Sequence, residues 1–262
     1  MNLSSYTPFF LVPLRVLASG IHSSHHLFST SAFNLPDPNG KEGGACISSL
    51  LQVLYERGHE RGTMSWISCL EDMWEQLKKL GYDQIPQLSS SRWIDVYRPM
   101  YIVPPNSGKR RAMIIGINYV GQQGQLKACH NDAENIKDYL INAQGFREEE
   151  MLILKDDGKH MMPTKQNIMD GFIRLTQYSQ PGDVVFISFS GHGGRVVDTS
   201  GDEDDGYDES IIPVDFRENG QILDDDILDI FVKRMKGGVF CVVVMDCCHS
   251  GKSCWGNCHS GQ

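Results

Sequence analysis

Several features are missing from this 262-residue sequence, and each absence closes off a class of protein. No apolar run approaches the roughly 20 residues of a membrane-spanning helix, so a bilayer-spanning helical protein is excluded. Basic charge is in deficit. The 24 Lys and Arg stand against 33 Asp and Glu, a net charge of −9 that disfavours a nucleic-acid partner and suits basic peptides or bound cations. Neither a P-loop nor a Gly-x-Gly-x-x-Gly turn follows any expected strand, which makes a nucleotide-binding protein a distant reading. Cys-x-x-Cys pairs are lacking too. Five of the eight cysteines (Cys241, Cys247, Cys248, Cys254 and Cys258) crowd the end of the sequence. The adjacent Cys247-Cys248 pair argues against a regular disulfide framework and for a reducing, cytoplasmic setting. Finally, the first 36 residues contain no acid and one basic residue, Arg15. The apolar stretch Phe9 to Ala18 within them reads either as a degenerate targeting sequence, interrupted by Pro13 and Arg15, or as an extension of no structural consequence.

What is present reads as an α/β protein. Ile47, Leu50, Leu51 and Leu54 recur at helical spacing, with Gly58 as a stop. From Ser65, the stripe Trp66, Leu70, Met73, Trp74, Leu77 and Leu80 predicts a second helix, with Lys78 and Lys79 in its last turn and Gly81 ending it. Ile94 to Val103 predicts a strand, and Pro104-Pro-Asn-Ser-Gly108 a domain boundary. Beyond it, strands at Ala112–Tyr119, Met151–Leu154, Asp183–Ser188 and Val239–Met245 alternate with helices from about Asn131, Thr164 and Asp226. Val184-Val-Phe-Ile187 and Val242-Val-Val-Met245 are apolar throughout, as strands buried on both faces are. The expected fold is therefore a doubly wound, mostly parallel sheet flanked by helices. Such sheets carry their sites outside the carboxyl ends of the strands, which directs attention to the residues after Ser188 and Met245.

Both exits carry reactive side chains: Ser190-Gly-His-Gly-Gly194 and Asp246-Cys-Cys-His-Ser-Gly251. A thiol needs a nearby base to become a thiolate near neutral pH, and an imidazole on a glycine-flanked turn supplies one. The amides of Gly193 and Cys248 could stabilise an oxyanion. Taken singly, His192 is a turn histidine and Cys248 a small buried thiol. Together they lie 56 residues apart, close to the roughly 50 of a caspase-like His-then-Cys order. A second constellation is acidic: Gly201-Asp-Glu-Asp-Asp-Gly-Tyr-Asp-Glu209, then Asp224-Asp-Asp226. Crowded carboxylates suit a hard cation such as Ca²⁺, or else form a solvated acidic loop. An EF-hand is excluded, because setting Gly206 at the loop glycine puts Gly201 and Ile212 where the first and last ligands belong. The tail offers a third chemistry, since Cys248-His-Ser-Gly251 is echoed by Cys258-His-Ser-Gly261 with Cys254 between, a candidate zinc-binding module.

Ser190-Gly-His-Gly-Gly194, Asp246-Cys-Cys-His-Ser-Gly251 and Ala128-Cys-His-Asn-Asp132 resemble the signatures of the metacaspase large subunit, over about Arg111 to Gly251. The resemblance implies a caspase-like fold, Cys248 as nucleophile with Cys247 as a neighbour, and His192 as its acid/base partner. It implies a specificity pocket of Cys129, Asp132, Ser190 and Asp246, whose two carboxylates would select Arg or Lys by charge-assisted hydrogen bonds. Without the resemblance, Asp132 also reads as a helix N-cap. The resemblance further implies calcium held by Asp208, Asp224 and Asp225, and peptide or protein substrates cut by a monomeric enzyme. Gly43-Gly-Ala-Cys46 and Gly81 to Arg92 are similar to the metacaspase small subunit, which here precedes the large one, as in the type III group. This divides the chain into an unmatched extension (1–28), a small-subunit-like region (29–108) and a large-subunit-like region (109–262). Only 14 residues follow Cys248 and they do not read as the family's continuation, which leaves a catalytically silent caspase-like scaffold as the rival expectation.

Overall fold

The computed structural model describes residues 9–16, 35–36, 42–57, 64–82, 85–90, 93–197 and 207–248. In chain order the first half comprises β1 (Phe9–Val16), β2 (Leu35–Pro36), β3 (Glu42–Gly43), α1 (Ala45–Glu56), α2 (Trp66–Lys79), β4 (Ile85–Pro86) and β5 (Ser89–Ser90). Next come β6 (Arg110–Gly116), α3 (Cys129–Asn142), β7 (Met151–Lys155), α4 (Lys165–Tyr178) and β8 (Val184–Ser190). The remainder comprises β9 (Gly193–Val197), β10 (Tyr207–Ile211), α5 (Phe216–Asn219), β11 (Ile222–Leu223), α6 (Asp224–Ile227) and β12 (Phe240–Cys248).

One central sheet runs in the order β4-β1-β12-β8-β6-β7, with β5 also on β1. The pairs β1/β12, β12/β8, β8/β6 and β6/β7 are parallel, whereas β4 and β5 run antiparallel to β1. The apolar strands stand in the middle because both their faces are covered. Alternate residues of β12 serve two cores: Val242 and Val244 pack under α1, α2 and α3, while Cys241 and Val243 pack under α4. Helices on both faces of a parallel sheet make the expected α/β architecture.

Local chemistry sets the helix starts. Ser65 caps α2 by accepting from the Ser68 amide, and Ser68 reciprocates toward the Ser65 amide. Thr164 caps α4 through the Asn167 amide. The strand expected from Ala112 to Tyr119 begins earlier, at Arg110, and ends at Gly116; the helix expected near Asn131 starts at Cys129, and that near Asp226 at Asp224.

Three elements differ from expectation. Ile94 to Val103 is not a strand: the Asp95 carboxylate takes the Tyr97 amide, Arg98 N–H turns back to the Asp95 carbonyl, and Pro99 has no amide to offer a ladder. A three-stranded sheet, β11-β10-β9, forms where the sequence suggested a loop. And Phe9–Val16 is part of the central sheet, paired along its length with Cys241–Cys248. Among the described residues, no helix is long and apolar enough to cross a membrane.

Candidate active site

The parallel register puts both reactive exits on one rim. Ser190 stands opposite Asp246, and His192 and Cys248 each lie two residues further on. The Gly191 amide donates to the Asp246 carbonyl at 3.3 Å, tying the two exits together. Cys247 is buried in the core beneath α4, which commits it to packing; Cys248 is the last residue of β12, beside Val16 of β1. Gly193 opens β9 at the same rim, opposite Ile211. The tail beyond Cys248, with Cys254 and Cys258, lies outside the described residues.

His192 is held from several sides. Its Nε2 lies 2.6 Å from the Gly124 carbonyl. A carbonyl can only accept, so Nε2 carries the hydrogen and Nδ1 is the nitrogen able to take a proton from a thiol. The His192 amide donates to the Tyr119 hydroxyl at 2.9 Å, and the His192 carbonyl accepts from the Ile212 amide at 3.1 Å. Sequence reasoning did not find Gly124 or Tyr119. The only signal for the first was a turn, Gly121-Gln-Gln-Gly124, since its contribution is a backbone oxygen.

The expected specificity residues come together beside this pair. Cys129 and Asp132 lie in the first turn of α3, both buried, with Ser190 buried at the end of β8. Asp132 receives the Gly44 amide at 2.6 Å and a hydrogen bond from Ser190, and Asp246 receives the Ile47 amide. The amino end of α1, far from both carboxylates in the sequence, therefore caps them with backbone N–H groups. Burial, then the charge of Asp246, pushes Asp132 well above the usual carboxylate range against the pull of the Gly44 and Ser190 hydrogen bonds. Burial likewise raises Asp246, to about 6, although part of the residue remains accessible. The thiols of Cys46 and Cys129 are driven up by burial first and by these two aspartates second. A Cβ at Gly44 would sit 2.8 Å from Asp132 Oδ2 and 3.0 Å from Asp246 Oδ2, so only glycine fits between the helix and the pair.

The acidic residues gather at one end of the β10–β11 ladder. Ser210 pairs with Leu223, which puts Asp208 two residues before that pairing and Asp224 and Asp225 directly after it. Asp208 and Asp224 are buried. Their chemistry suits a hard cation, yet among the described residues no three His, Cys, Asp or Glu side chains form a group that could hold a metal. The acids from Asp202 to Asp205 lie outside the described residues.

A parallel sheet whose neighbouring strand ends deliver an imidazole and a cysteine to one rim is the arrangement of a cysteine-type peptidase. Comparison with known proteins agrees and narrows it. Residues 110–254 match the family model "Metacaspase, peptidase C14 domain". The chain is 46% identical over 236 residues to Metacaspase III c of Phaeodactylum tricornutum, covering 88% of this chain and 70% of that protein. It is 48% identical over 147 residues to Metacaspase-1A of Neurospora crassa, covering 55% of this chain and 32% of the relative. The chain thus spans about a third of the fungal relatives it matches. A crystal structure of a Geobacter sulfurreducens protein aligns with TM-score 0.45 at 32% identity, covering 55% of this chain and 52% of that one. The chain belongs to the metacaspase family, peptidase C14.

Proposed function

We propose that this metacaspase is a calcium-dependent endopeptidase that hydrolyses peptide bonds after Arg or Lys. The observation that carries the reading is the pair of carboxylates, Asp132 and Asp246, on the rim where His192 and Cys248 leave their strands. In this reading Nδ1 of His192 takes the Cys248 proton, and the thiolate attacks the carbonyl of the scissile bond. The oxyanion is met by the amides of Gly193 and Cys248. The imidazolium then protonates the leaving amine, the C–N bond breaks, and water hydrolyses the thioester to release the acid and regenerate the thiol. Cys129, Asp132, Ser190 and Asp246 form the pocket for the basic side chain, where a guanidinium neutralises the negative charge that the α1 amides only partly offset.

Calcium enters the proposal as a hard cation for Asp208, Asp224 and Asp225, whose carboxylates would lose their mutual repulsion on binding it. No catalytic step runs through it. Five buried cysteines among the described residues, Cys46, Cys69, Cys129, Cys241 and Cys247, stand outside any disulfide and support a reducing, cytoplasmic setting for the proposed monomer. The test is cleavage of matched arginyl, lysyl and aspartyl peptides with and without calcium. Wild type is expected to cut the first two only, and a Cys248→Ala protein none; equal cleavage by that variant refutes the nucleophile, and absent cleavage by wild type supports the silent scaffold. Calcium titration followed by melting reads the cation separately: a Tm rise that Asp225→Asn abolishes is expected.

A further inference from the structure

We propose that Tyr119 is a positioning residue for His192, holding its backbone through the hydroxyl and its imidazole through the ring; this rests on His192 being the acid/base partner of the peptidase. Tyr119 lies beyond the end of β6 and is 1% exposed, so its hydroxyl must find partners inside the protein. It finds two. It accepts the His192 amide at 2.9 Å and donates to the Ile212 carbonyl at 2.7 Å. The Ile212 amide in turn donates to the His192 carbonyl at 3.1 Å, closing a ring of hydrogen bonds through the backbone of the histidine. The Tyr119 ring also lies against the imidazole, with centroids 4.6 Å apart and planes inclined by 34°, so backbone and side chain of His192 are set by the same residue.

The chain goes to some trouble to put Tyr119 there. Its φ is +53°, a conformation that residues with a side chain rarely adopt. The amides on either side, Asn118 and Val120, both donate to the buried Asp156 carboxylate at 2.8 and 2.9 Å. That carboxylate also meets His130 Nε2 at 2.6 Å. Burial opposes its charge, but His130 and the two amides hold Asp156 below the ordinary carboxylate range, so it stays an acceptor. The same loop then delivers the Gly124 carbonyl to His192 Nε2. Opposite the hydroxyl stands Gly191, where a Cβ would lie 3.0 Å from Tyr119 Oη and 2.9 Å from Phe189 Cζ. Burial keeps the Tyr119 hydroxyl far above the usual tyrosine range, partly offset by the His192 amide, so it remains protonated and able to donate.

The experiment compares Tyr119→Phe with Tyr139→Phe, a buried tyrosine elsewhere whose hydroxyl takes the Gln144 side-chain amide at 2.7 Å. Both remove one hydroxyl from a buried ring, so both report the generic structural cost. Tyr119→Phe is expected to lower kcat about 10- to 100-fold with KM for an arginyl peptide within about twofold, the scale of misplacing a catalytic group by an ångström. It is also expected to move the pH midpoint of Cys248 alkylation upward, because a loosened imidazole stabilises the thiolate less. Tyr139→Phe should leave both unchanged. Wild-type kcat and an unmoved alkylation profile in Tyr119→Phe would overturn the proposal, as would equal losses in the two variants. Should Tyr119→Phe fail to fold, Gly191→Ala is read for the same split, and failure of both to fold assigns Tyr119 to the scaffold and overturns it too. If wild type itself does not cleave, the peptidase reading fails instead, whereas the alkylation profile still judges Tyr119.

Discussion

The two walls of the candidate site are built in opposite ways. Around His192 three neutral hydrogen bonds set the frame: a carbonyl on Nε2, a tyrosine hydroxyl on the amide, an amide on the carbonyl. Across the rim, Asp132 and Asp246 are two like charges in a buried setting, relieved by the Gly44 and Ile47 amides and by Ser190. Neutral hydrogen bonds satisfy their partners and set geometry with little dependence on pH. Buried like charges cost stability and titrate, and are worth keeping only if something cationic completes them. In the proposed reading, orientation belongs to one wall and substrate charge to the other.

The comparison breaks hardest if the charged wall proves irrelevant. Replacing both aspartates, Asp132→Asn with Asp246→Asn, is expected to lower kcat/KM for an arginyl peptide about 10²- to 10³-fold, the cost of leaving a buried cation without its partner. Unaltered discrimination between arginyl and neutral peptides would show that the basic side chain binds elsewhere.

Next in size is a stability gain. Asp246 has a folded pKa raised to about 6 from an ordinary 3.8, so between those values the folded state holds a proton that the unfolded chain has lost. Its contribution to stability therefore falls as pH rises through that window, and the penalty is complete above about pH 6. Asp246→Asn is expected to stabilise the protein at pH 7.5 by on the order of 1–3 kcal/mol, and by little at pH 4. Chemical denaturation at the two pH values checks the sign; a loss at pH 7.5 would contradict the repulsion.

Gly44→Ala sharpens the same wall from the other side of the chain. Its methyl would meet both carboxylates, so the helix start must retreat, and about a tenfold rise in KM for the arginyl peptide is expected with kcat preserved. Steady-state kinetics decides it, since a fall in kcat at constant KM would place Gly44 outside the pocket. The smallest effect is the pH response of wild type: KM for a basic peptide should climb as pH drops below about 6 and Asp246 gains a proton, while a neutral peptide's KM stays level.

Much of this was legible in the sequence because it is local. Val184–Ile187 and Val242–Met245 announced central strands by apolar runs, Ser65 and Gly81 bracketed a helix, and glycines around His192 marked a turn at a strand exit. What escaped depended on distance along the chain. Gly44 meets Asp132 across 88 positions, and β1 pairs with a strand at the far end of the sequence, so Phe9–Val16 carried no local sign of its partner. Ile94–Val103 misled because its apolar residues fit a strand while Asp95 and Pro99 bend the backbone away. Gly124 escaped for another reason: its part is taken by a main-chain oxygen, which residue identity does not encode.

The pairing of β1 with β12 has a practical consequence. All eight residues of Phe9–Val16 run beside Cys241–Cys248, so the strand that ends in the proposed nucleophile is an inner strand of the sheet. Trimming the chain to residues 110–254, which match the family model, would strip that cover and turn Phe240–Cys248 into an open border of amide and carbonyl groups, a template for self-association. An expression design that keeps the opening residues, with any affinity handle spaced away from Phe9, avoids making a sticky edge out of the segment that carries the proposed nucleophile.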